Sequence, residues 1–94
     1  MLDSATQKRF EDALAADNLR ALAEQMTAEG MSQVAIYHLF ESFWQFLGET
    51  HREADEERLF GCLDAIVGFI SPGSRWFDHY LTNEEIDEYR KTSA

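Results

Sequence analysis

Residues 32–48 read Ser32-Gln33-Val34-Ala35-Ile36-Tyr37-His38-Leu39-Phe40-Glu41-Ser42-Phe43-Trp44-Gln45-Phe46-Leu47-Gly48. Ser32 is a good N-cap, and Gly48 suits a helix C-terminus. Between them Val34, Ile36, Tyr37, Leu39, Phe40, Phe43, Trp44, Phe46 and Leu47 are apolar or aromatic, and a narrow strip of His38, Glu41 and Gln45 carries the polarity. A helix that is apolar around most of its circumference sits at the centre of its domain. The stretch therefore predicts a central helix over 33–47 that the other elements cover.

On its N-terminal side Gly30 marks the end of an earlier helical segment. Phe10, Leu14, Ala21, Leu22 and Met26 keep a helical spacing, and Ser4 with Gln7 has the form of a capping box. This predicts one helix over 5–29 with a weak or kinked middle at Ala16-Asp17-Asn18, where Asp17 is the alternative cap for a second helix from Leu19. On the C-terminal side Thr50 with Glu53 forms another capping-box pattern. It opens a third helix over 51–70 whose core face is Leu59, Cys62, Leu63, Ile66, Val67 and Ile70. Ser71-Pro72-Gly73-Ser74 reads as a turn, followed by a turn or short helical segment near 74–80. Thr82 with Glu85 caps a last helix over 83–91. Leu81 and Ile86 stand at hydrophobic-staple positions, and Asp87 and Lys91 are an i, i+4 pair. No segment alternates as a strand does. The expected fold is all-α, a compact irregular bundle of about four helices in a single domain, 1–94.

The 94 residues carry a formal net charge of -10. Such a surface repels phosphate backbones and anionic lipid, so neither nucleic acid nor membrane is an expected partner, and a more basic protein is. The junction around Gly30 has the outline of a helix-turn-helix, but residues 32–48 contain no Lys or Arg to read a groove. The single cysteine, Cys62, allows no internal disulfide and suits a reducing cytoplasm. Met1-Leu2-Asp3-Ser4 lacks the basic-then-apolar pattern of a signal peptide, and the apolar stretch 62–70 is too short to span a bilayer. The expected location is cytoplasmic.

Catalytic chemistry lacks its parts. There is no Gly-x-Ser-x-Gly elbow and no phosphate-binding glycine loop, and Cys62 falls on an apolar helix face. His38 with Glu41 and His51 with Asp55 place paired ligand types on one helix face. Yet no Glu-x-x-His, cysteine pair or EF-hand spacing accompanies them. No cofactor, metal or catalytic residue is expected, and the chain is not expected to be an enzyme.

Two surface features remain. At about 100° per residue Glu53, Glu57, Gly61, Asp64 and Gly68 share a stripe of the third helix, with Phe60 and Ala65 at its margins; Asp55 and Glu56 thicken the acidic start. Part of this acidity complements the positive end of the helix dipole. The plainer reading of the glycines is close helix packing, which then requires a buried partner for Asp64 such as Arg20 or Arg75. The functional reading is an acidic groove for the Lys or Arg side chains of another protein. The second feature is Arg75-Trp76-Phe77-Asp78-His79-Tyr80, rich in the residue types of binding hot spots. Its plainer reading is that Trp76 and Phe77 close the open end of a small bundle.

In general type the chain resembles small acidic bacterial helical proteins, a group that includes inhibitors and immunity proteins. The expected function is thus a non-catalytic protein–protein interaction, most concretely an immunity- or antitoxin-like inhibitor of a basic partner. Glu53, Asp55, Glu56, Glu57, Asp64, Trp76 and Tyr80 are the candidate contact residues. The alternatives are a dimeric regulatory or assembly protein with Tyr37 and Trp44 at a homodimer seam, and a helical metal-binding protein.

Overall fold

The computed structural model describes residues 2–68 and 72–93. Among them are five α-helices and no strand: α1 (Ser4–Ala15), α2 (Leu19–Ala28), α3 (Gln33–Glu49), α4 (Glu53–Val67) and α5 (Asn83–Ser93), with one 3-10 turn at Pro72–Ser74. The all-α bundle is as expected, but the segment expected as one helix over 5–29 is two.

The break lies at Asp17, whose φ of 54° is left-handed. The Asn18 amide then reaches back to the Ala13 carbonyl at 2.9 Å, closing α1 as a Schellman-type end. A short polar side chain tolerates this conformation better than most. Arg58 of α4 adds a long-range ion pair to the Asp17 carboxylate. Gly30, at φ 95°, ends α2 in the same way, with the Met31 amide on the Met26 carbonyl at 3.1 Å.

His51, at φ 58°, ends α3 by the same closure, the Arg52 amide reaching the Leu47 carbonyl at 2.9 Å. So α3 runs on to Glu49, beyond the expected Leu47. Thr50 belongs to its end and not to the cap of α4: its hydroxyl donates to the Phe46 carbonyl at 2.9 Å. The expected Thr50–Glu53 capping box is absent, and no side chain caps α4. At α1 the cap is Asp3, accepting the Thr6 amide at 2.7 Å, and not the expected Ser4. That bond holds the Asp3 carboxyl below its ordinary value of 3.8.

The core gathers around α3. Phe10, Leu14, Leu22, Met26, Ile36, Phe40, Phe43, Leu47, Leu59, Leu63 and Ile66 are buried, drawn from α1 to α4. Phe10 meets Phe40 edge-on at 4.8 Å and stacks on Phe43 at 4.9 Å. Among the described residues no polar or charged side chain is fully buried. Arg52 ties the ends of two helices together outside the core, 2.8 Å from Glu11 of α1 and 3.0 Å from Asp55 of α4.

With only residues 50–52 between them, α3 and α4 form an antiparallel hairpin. The side chain of Gln33, at the start of α3, donates to the Ile66 carbonyl near the end of α4 at 2.7 Å. Gly68, in the left-handed conformation at φ 95°, stops α4, so the helix ends at Val67 and short of the expected residue 70. The expected Ser71-Pro72-Gly73-Ser74 turn begins outside the described residues, which resume with the 3-10 turn.

The last four carbonyls of a helix have no intrahelical donors beyond them. Here each finds one. Gly68 N–H donates to Asp64, Trp76 N–H to Ala65 at 3.1 Å, Gln33 Nε2 to Ile66, and Leu81 N–H to Val67 at 2.9 Å. Residues 76–79 are held by these bonds as a bend, where a turn or short helical segment was expected near 74–80. Thr82 and Glu85 exchange the two bonds of a capping box, and Leu81 and Ile86 are buried as a staple requires. Arg90 docks α5 on Glu41 of α3. Asp87 faces Arg90 at 3.8 Å, so the expected Asp87–Lys91 pair does not form.

Candidate functional site: an acidic, aromatic groove between α3 and α4

The seven candidate contact residues separate into four groups. Asp55 is taken up structurally, its carboxylate bound by Arg52. Trp76 is half-buried, edge-on to Phe40 at 5.9 Å, and Phe77 packs on the same core. Both close the end of the bundle, as the plainer reading had it. Tyr80, 47 % exposed, lies beside Gly68 at the far end of α4. That leaves four residues of α4, Glu53 and Glu57 exposed, Glu56 and Asp64 half-buried on the side toward α3. Among the described residues no cation lies within ion-pairing distance of any of them.

Close packing accounts for one end of this stripe, where Ala65 is buried and the Tyr80 backbone lies beside Gly68, but not for Gly61. A methyl group added to Gly61 would meet nothing within 4 Å, so no element of the described fold approaches it. Asp64 finds neither of its expected partners. Arg20 lies 3.9 Å from Glu24 on its own helix, and Arg75 packs beside Gly68 with its Nε buried and unpartnered. Asp64 instead bears on α3. It is among the charges felt by the half-buried Tyr37 hydroxyl, which burial, then Glu41, pushes above its ordinary pKa of 10.0.

Two aromatic residues outside the candidate set complete the site. Phe60 is 54 % exposed, the most exposed large apolar side chain among the described residues, and its ring lies 6.0 Å from that of Trp44 on α3. Trp44, Phe60 and Gly61, with Glu56 and Glu57, line an open groove of ≈ 390 Å³. Glu56 leans into the space left by Gly48, where a methyl group would collide with its Oε2. Phe60 lies between Glu53, Glu56 and Glu57 on the helical wheel, off the Leu59–Leu63–Ile66 core face. That offset is the one signal in the sequence that separates it from the core aromatics.

The residues weighed for metal or acid–base chemistry lie apart. His38 packs on Tyr89 at 5.5 Å and Glu41 is occupied by Arg90 and Tyr37. His51 is exposed at its left-handed turn, and Asp55 is held by Arg52. Among the described residues no three His, Cys, Asp or Glu side chains assemble as a metal site. No helix among them is long and apolar enough to cross a membrane. Burial pushes the Cys62 thiol up to about 11, against a smaller opposing effect of Arg58. Since the thiolate is the reactive form, Cys62 in the native protein is expected to alkylate far more slowly at neutral pH than in the urea-unfolded chain. Equal iodoacetamide rates in the two states would contradict this environment.

No family model, no curated protein and no solved structure matches this chain.

Proposed function

We propose that this protein is a non-catalytic interaction module that binds a more basic protein through the α3–α4 face. An immunity- or antitoxin-like inhibitor is its most concrete form. The observation that carries the reading is an exposed ring, Phe60, against the half-buried Trp44, set among Glu53, Glu56, Glu57 and Asp64, none of them ion-paired within the described fold. An exposed apolar patch rimmed by charge is a common mark of a protein-binding surface. Unpaired carboxylates steer a basic partner and set its orientation. Other carboxylates of the chain are spent internally: Glu11 and Asp55 on Arg52, Glu29 on Arg9, Glu41 on Arg90.

A homodimer across the same patch is the second reading, and the exposed Phe60 favours it. In a two-fold interface, however, the same surface meets itself, so these carboxylates would be brought together without counter-charges.

The test begins with capture of partners from the native cell extract at low salt, followed by titration of the purified partner. Affinity is expected to fall steeply with added salt. The triple variant Glu53→Gln/Glu57→Gln/Asp64→Asn is expected to weaken binding about tenfold, taking roughly 0.5 kcal/mol for each charge. A control removing three charges elsewhere, Asp12→Asn/Glu24→Gln/Glu84→Gln, separates this face from net charge. Flat salt dependence, or equal losses in the two triples, would sink the proposal.

A further inference from the structure

Resting on that reading, we infer that the Trp44–Phe60–Gly61 groove receives one arginine side chain of the partner, stacked on the two rings with its guanidinium reaching Glu56 and Glu57.

Gly61 is the first observation. It lies inside α4, where glycine is less favourable than alanine by about 1 kcal/mol. Of the other four glycines, Gly73 lies in the 3-10 turn with open space around it, and three have local reasons of their own. Gly30 and Gly68 adopt left-handed conformations, and Gly48 makes room for Glu56. Gly61 has a right-handed backbone and open space around it, so nothing within the described fold uses the missing side chain. Gly61 lines the groove with Phe60 and Glu57, and without a Cβ it puts no side chain into it.

The walls select the occupant. Trp44 and Phe60 present ring surface, which attracts a cation and accepts a flat group by stacking. Glu56 and Glu57 stand at the rim as acceptors without cations of their own. A planar, permanently charged group with several donors satisfies both features, and the guanidinium is that group; an ammonium lacks the flat face. The groove, at ≈ 390 Å³, is ample for one long side chain. A second copy of this chain is a poor occupant, because the surface it would bring is itself acidic.

The probes are three blocked tripeptides, acetyl-Gly-Xaa-Gly-amide with Xaa as arginine, lysine or norleucine. They are titrated at physiological ionic strength into the isotope-labelled full chain and followed by NMR. The arginine peptide is expected to shift the Trp44 indole N–H and the Gly61 amide, and to bind about tenfold more tightly than the norleucine peptide. The lysine peptide is expected to fall between them.

Gly61→Leu is the decisive variant. It has space to fold into and a better helix former in place of glycine, so its thermal stability is expected to equal or exceed that of the parent while the arginine shifts disappear. Phe60→Ala is expected to lose them as well. Equal affinity for arginine and lysine, shifts spread over all the acidic surface, or an unaffected Gly61→Leu would each overturn the groove assignment. With the captured partner the two ideas part. If Gly61→Leu leaves partner affinity intact while the charge triple weakens it, the arginine groove fails and the acidic face stands. If neither change matters, both fall.

Discussion

Phe10→Ala is expected to destabilise the protein by about 3–5 kcal/mol, the usual range for deleting a fully buried aromatic ring. Phe10 has no exposed surface and touches two aromatic residues of the central helix, stacked on Phe43 and edge-on to Phe40. The loss has two parts: the transfer energy of the ring, and the void left among Phe40, Phe43 and their neighbours, which rigid helices cannot close. Aromatic geometry adds about 0.5–1.5 kcal/mol beyond the buried area. A domain of this size has a total stability of about 5–15 kcal/mol, so the variant stands near the limit of folding. Urea titration by circular dichroism measures it. A midpoint close to that of the parent would mean that α1 is not anchored through this ring.

Gln33→Met is expected to cost about 1–3 kcal/mol while keeping the bulk of the side chain. The Gln33 amide nitrogen donates both to Ile66 in α4, at 2.7 Å, and to His79 in the bend, at 2.8 Å. Methionine offers no donor, so the Ile66 carbonyl loses its partner in a part-buried position. The effect is local as well as global. Amide hydrogen exchange is expected to quicken at Trp76 and Leu81, whose N–H groups bond the neighbouring Ala65 and Val67 carbonyls, while α1 and α2 change little. Uniform quickening across the chain would show that the bend and the hairpin open only with the whole fold. Acid also weakens this region. The His79 side chain, then the Thr82 backbone, holds Glu85 below its ordinary 4.5. By linkage its stabilising contribution is present above that value and is lost as pH falls through the lower folded one.

Some helix stops and starts are legible in local sequence. Gly30, the Ser32 cap and the Thr82–Glu85 box with its Leu81–Ile86 staple all behave as their spacing implies. Two of the misplaced boundaries share one cause: α1 and α3 end at Asp17 and His51, left-handed residues that are not glycine. The Asp17 break also has Arg58, far along the chain, on its carboxylate, and no local pattern announces that. The same division holds for the site. The acidic stripe is visible in helical spacing. Whether a particular carboxylate is free depends on which cations the fold delivers, and Asp55 was lost to Arg52 for that reason. Trp44 and Phe60 belong to different helices, and only their packing leaves one ring covered and the other open.

The finish of α4 bears on how the chain comes to be folded. Its last carbonyls are served by Gln33, Trp76 and Leu81. The α3–α4 hairpin needs only a short loop and so is expected to form early, since short closures cost little entropy. The Ala65 and Val67 carbonyls, however, lack their protein donors until residues 76 and 81 have been synthesised and laid across the helix end. A nascent chain stalled before that point would hold the whole acidic groove and yet fray at the far end of the same helix. Completion of the C-terminal segment is thus the event that turns a loose hairpin into a rigid platform.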